Sequence, residues 1–221
     1  MTQMQQDPLA GLFGDPFQGT ARGEAIRIAT EKERKPLKGR IPGEAGIWIF
    51  IIGDLIAFSI IFLVIVSARM DEPEVFEASR HSLHIEFGAL NTLLLLVGSL
   101  LVVRAIRAMR TGSGGAPLLF GLTWLCGLIF VVNKGIEYSM LINDGHSIDE
   151  NLFYGYYFIG TALHLFHLVI GMIGMFVAYR ISKRAVHTNR EMQLAEVFGA
   201  YWHLVDLLWV ILFPLLYLMR V

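Results

Sequence analysis

Cysteine is nearly missing from this 221-residue chain, with Cys126 the single example. One thiol forms no disulfide framework and supplies no Cys-based metal site. Charge is scarce as well, at 17% of residues against 55% hydrophobic ones. So apolar a chain excludes an ordinary water-soluble domain and points to an all-α, polytopic membrane protein. The formal net charge of −1 offers no basic surface of the kind nucleic acid needs, and no nucleic acid partner is expected. Residues 1–45 lack an apolar run of signal-peptide length. They read as a polar cytoplasmic tail, with a short amphipathic helix expected near residues 22–38. No internal repeat is visible, and only Pro214 interrupts an apolar run well inside it. A small transporter built from paired broken helices is disfavoured on that ground.

What is present is a set of five apolar segments, at 46–68, 86–106, 117–141, 154–180 and 197–219. A hydrocarbon core of about 30 Å needs roughly 20 helical residues, and each segment is long enough. With Arg104 and Arg180 at the span ends counted with the loops they adjoin, the Lys and Arg counts of the six flanking regions run 7, 2, 3, 0, 4 and 1. The alternation places the N-terminus inside and the C-terminus outside. The outer stretch "NDGHSIDE" lacks the spacing of a calcium loop and reads as solvated.

Ionisable residues inside a span face protein or water, because lipid penalises them. Asp54 lies eight residues into the first span, roughly 12 Å from its inner end. Gly46, Gly53 and Ala57 share its face, which suits a close helix contact. Two readings of Asp54 stand side by side: a protonated structural carboxyl, or a proton-handling group facing a cleft or partner. Glu86 and Asn91 open the second span, and the spacing of Lys134 and Glu137 allows pairing across one turn of the third. In the fifth span Glu196, Gly199, His203 and Asp206 fall on one face.

The fourth span contains "LHLFHLVIG", with His164 and His167 three residues apart. Gly160, His164, His167, Gly171 and Gly174 form one stripe, and small residues in such stripes let membrane helices approach closely. With His203, three imidazoles lie at membrane depth, enough in principle for one metal ion. The glycine setting favours hydrogen-bonded packing instead. His203 and Asp206 are the natural partners, which makes Glu86, Asn91, Glu137, His164, His167, Glu196, His203 and Asp206 an expected buried polar network.

Several stretches carry a resemblance in the right order. "AEVFGAYWHLVDLLWVILFPLLY" resembles the last helix of subunit III of haem–copper oxidases, matching at Glu196, Trp202, His203, Val205, Asp206 and Trp209. "YGYYFIGTALHLFHLVIG" resembles the helix before it, through His164, His167 and Gly171. "IEYSM" and "EFGALNTLLLL" resemble the family's Glu-Tyr and Leu-Asn-Thr helices, the latter at Glu86, Leu90, Asn91 and Thr92. In "IWIFIIGDLIAF", Asp54 stands where most members carry the Glu of a Ser-Glu pair. Long members have seven spans, and the polar tail stands here where the first two would be.

The resemblance implies a five-helix domain over 46–221 in a bacterial cytoplasmic membrane, packed against subunits I and II. Those partners are expected to carry the haem and copper. This chain is expected to hold no metal or redox cofactor, only membrane lipid and a bound phospholipid. The implied role is non-catalytic, supporting assembly, stability and proton uptake, with Asp54 as the proton-side carboxylate. The short "PGEAGIWIFIIGD"-like start also resembles a branch associated with nitric oxide reductase, which is the alternative partner.

Overall fold

The computed structural model describes residues 45–184 and 187–219, and the expected tail and its helix lie outside these. The described residues form helices α1 (Ala45–Asp71), α2 (Pro73–Arg80), α3 (Ile85–Thr111), α4 (Ala116–Asn143), α5 (Leu152–Ser182) and α6 (Asn189–Phe213). A π-helical turn, Pro214–Leu218, finishes α6. Five of these elements are long and apolar enough to cross a membrane. The chain is a multi-pass membrane protein, with five candidate spans among the described residues.

Two boundaries differ from the hydropathy reading. The stretch between the first two spans contains α2, a short helix begun by Pro73 at its first turn. Its Glu77 accepts from Arg80 at 2.5 Å, and that guanidinium holds the half-buried Glu77 carboxyl below the usual carboxylate range. α6 begins eight residues before the expected 197. A capping box fixes its start: the Thr188 hydroxyl accepts from the Glu191 amide at 3.2 Å, and the Glu191 carboxylate accepts from the Thr188 amide at 2.9 Å. Arg184 also pairs with Glu191. The first two turns of α6 are polar, so hydropathy alone assigned them to a loop.

Helices α3, α4, α5 and α6 pack around a common core, while α1 leans on α6 and touches α5. The centre of that core is Trp202, which is fully buried. Its indole fills the space left by three glycines on three helices. A Cβ at Gly98, Gly127 or Gly171 would lie 3.2, 3.1 or 3.4 Å from it. Gly174 likewise seats the Phe198 ring, at 2.6 Å from where its Cβ would be, and Gly88 seats Phe213 at 2.5 Å. The glycines do mark helix contacts, but they admit aromatic rings from α6 rather than bare backbone. The missing side chains act as sockets.

The face of α1 that holds Gly53 and Ala57 is exposed in this chain, with nothing within 4 Å of a Cβ placed at Gly53. Ile49, Ile56, Ile60 and Leu63 extend the same open, apolar surface. On its other side α1 and the end of α6 border an apolar groove of about 620 Å³, lined by Ser59, Phe62, Val66, Val210, Pro214 and Leu215 among others. Arg69 of α1 donates to the Met219 carbonyl, joining the two walls at one end.

Candidate functional site

The polar residues singled out from the sequence do not form one network. They divide into separate groups, each bridging a different pair of helices.

The first group joins α1 to α5. Asp54 Oδ2 lies 3.5 Å from His167 Nε2, and both side chains are largely buried, at 16% and 9% exposed. The other imidazole nitrogen, Nδ1, donates to the Leu163 carbonyl one turn back, at 2.8 Å. That bond presents Nε2 to Asp54. The separation leaves Asp54 Oδ2 without a hydrogen bond. Phe58 stands edge-on to the His167 ring at 5.2 Å, giving the pair an apolar wall.

The second group ties α5 to α6. His164 is fully buried, and its Nε2 donates to the Val205 carbonyl at 3.0 Å. Trp209 and Phe130 flank its ring at 5.0 and 5.5 Å. His164 and His167 therefore look in different directions despite sharing a stripe. Among the described residues, no three His, Cys, Asp or Glu side chains converge in a way that would hold a metal ion.

His203 and Asp206 correct the expected partnership with the α5 histidines. They face α3, where Ser99 donates to Asp206 Oδ2 at 2.6 Å and lies 3.0 Å from His203 Nδ1. Glu196, on the same face, accepts from Arg110 near the end of α3 at 2.7 Å. Gly199 completes that face, with Ile106 of α3 at 2.6 Å from where its Cβ would be. The one-face reading of α6 was sound; the helix it meets is α3. Ser99 was missed because a serine inside an apolar run carries no signal of its own.

The fourth group is sealed. Lys134 donates to Glu137 at 2.9 Å, to the Tyr157 hydroxyl at 2.8 Å and to the Tyr217 hydroxyl at 2.9 Å. Tyr217 in turn donates to the second Glu137 oxygen at 2.6 Å. An ammonium has three donors, and all three are used. The ring face of Tyr157 lies 4.4 Å from the Lys134 nitrogen. This cluster fastens α4, α5 and the π turn together. The spacing of Lys134 and Glu137 revealed the ion pair, but neither tyrosine was anticipated.

Asn91 is fully buried and accepts from Asn133 of α4 at 2.8 Å. Glu86 departs from the expected buried set: it is exposed in the first turn of α3. A carboxylate there sits favourably against the positive end of the helix dipole.

Comparison with known proteins follows the same residues. The family model for cytochrome c oxidase subunit III matches residues 42–221. The subunit 3 of a cytochrome bo(3) ubiquinol oxidase from Buchnera aphidicola is 30% identical over 179 residues, covering 78% of this chain and 84% of that protein. A cytochrome c oxidase subunit 3 from Corynebacterium diphtheriae is 26% identical over 178 residues, covering 79% of this chain and 87% of that one. The counterpart from Thermostichus vulcanus is 26% identical over 209 residues, or 92% and 98% of the two chains.

Proposed function

The chain belongs to the cytochrome c oxidase subunit III family, and from that premise we propose that it is the non-catalytic subunit of a haem–copper terminal oxidase that supports assembly, stability and proton uptake. Membership implies association with the other oxidase subunits. The three relatives are named for oxidases, which favours an oxygen-reducing partner over a nitric oxide reductase. In this reading subunits I and II carry the haem and copper, and the exposed apolar face of α1 is the surface that meets a partner or lipid. A phospholipid chain suits the groove between α1 and α6, whose lining is almost wholly apolar.

The observation that carries the proton-side role is the Asp54–His167 pair. Among the described residues it is the carboxylate–imidazole contact within a span whose carboxylate is near an exposed helix face. The positive-inside pattern supports a cytoplasmic N-terminus, and with that orientation Asp54 lies in the proton-uptake half of the bilayer. In this reading the pair passes protons on near the exposed surface of α1.

Gentle purification of the tagged chain tests the assignment, with co-elution of a haem–copper subunit I expected. Recovery with a partner lacking copper would contradict the oxidase reading. In the assembled complex Asp54→Asn is expected to leave haem spectra and yield intact. It should slow proton uptake or hasten inactivation during turnover. An unchanged pH profile together with an unchanged working lifetime would remove the role from Asp54. Reporter fusions at the two ends check the orientation, a cytoplasmic N-terminus and an external C-terminus being the expected result.

A further inference from the structure

The Ser99–His203–Asp206 cluster does more than pin α3 to α6. Asp206 is 8% exposed, and Ser99 lies near the middle of α3, so this carboxyl is held deep within the bilayer. Only one of its oxygens is satisfied: Oδ2 accepts from Ser99 at 2.6 Å, while Oδ1 is buried with no partner. A carboxylate with a bare, buried oxygen is the form an apolar environment penalises most, and the neutral carboxylic acid is penalised less. The route to that proton is continuous. His203 Nδ1 is 3.0 Å from Ser99 Oγ, and His203 is half-buried, with Nε2 free of any hydrogen bond among the described residues. Among the described residues, the groups facing Asp206 are Ser99 from α3 and His203 on its own helix.

We propose that Asp206 is a buried proton-holding site that loads and unloads through Ser99 and His203 at the seam between α3 and α6. A proton arriving at His203 Nε2 makes an imidazolium. Nδ1 passes its proton to Ser99 Oγ, and the serine passes its own hydroxyl proton to Asp206 Oδ2. The products are a neutral imidazole, an intact hydroxyl and a carboxylic acid. Rotation of the hydroxyl and the ring resets the chain for the next proton, and the reverse sequence unloads it. This site is separate from the Asp54–His167 pair, on other helices.

Infrared spectroscopy of the intact solubilised complex tests it, using aspartate labelled with heavy carbon in the side-chain carboxyl and exchange into heavy water. A labelled carboxylic acid band that persists in Asp54→Asn and vanishes in Asp206→Asn is expected. Should Asp206→Asn fail to assemble, Asp206→Glu removes the same band from the labelled set. Exchange of that band is expected to slow by about tenfold or more in Ser99→Ala and in His203→Phe. A hydrogen bond with a purely structural role predicts the opposite sign, since loosening the seam admits water and speeds exchange. Absence of an Asp206 acid band from mildly acidic to mildly alkaline pH would overturn the proposal. So would exchange that is unchanged or faster in both variants.

Discussion

Glu137 and Asp54 are both carboxylates inside apolar helices, yet the bundle holds them on opposite terms. Glu137 is fully buried, with an ammonium on one oxygen and a phenol on the other. Asp54 lies on the peripheral helix, with one imidazole 3.5 Å away and an oxygen unsatisfied. A carboxylate closed in on every side is committed to one geometry and works as a fastener. One left partly unbonded at the margin keeps the freedom to change its proton. The closed Lys134–Glu137 cluster and the border of α1 thus divide structural work from chemistry.

The sharpest way to break this comparison is at the fastener. Lys134→Met leaves Glu137 charged and stranded, at a cost of about 3–5 kcal/mol. The expected outcome is near-complete loss of assembled complex in membranes, measured by recovery of the tagged chain with its partners. The double variant Lys134→Met with Glu137→Leu should recover much of the yield, because no uncompensated charge remains. Next comes the Trp202 socket. Gly98→Val drives branched carbons into an indole already 3.2 Å from a Cβ, an overpacking of about 1–3 kcal/mol. A lowered thermal transition with unaltered haem spectra is expected. His164→Phe loses the bond to the Val205 carbonyl, about 1 kcal/mol, and seats a somewhat larger ring, so a modest drop in the same transition should be seen. Asp54→Asn should fall within about 0.5 kcal/mol of the parent, as most substitutions outside a packed network do. A destabilisation as large as that of Lys134→Met would erase the distinction between the two carboxylates.

Much of this architecture was legible before any coordinates. Five apolar runs gave the spans, because the bilayer imposes their length. The periodicity of Glu196, Gly199, His203 and Asp206 correctly grouped them on one face. Periodicity orients residues on their own helix and says nothing of which neighbour lies across the seam. That is why α3 was missed as the partner and Ser99 with it. The start of α6 escaped hydropathy because its first turns are polar, although the Thr188 and Glu191 spacing holds the signal. Tyr217 reaches Glu137 across 80 positions of sequence, a distance no local pattern spans.

Pro214 gives the end of α6 a consequence of its own. It opens a wider turn, in which the Met219 amide bonds to the Pro214 carbonyl five residues back at 2.9 Å. One additional residue in a turn rotates everything beyond it by about 100° relative to a regular helix. The phase of Tyr217 is therefore set by this proline. Restoring regular winding would swing the phenol off the lysine–glutamate lock, although no residue of the lock itself had changed.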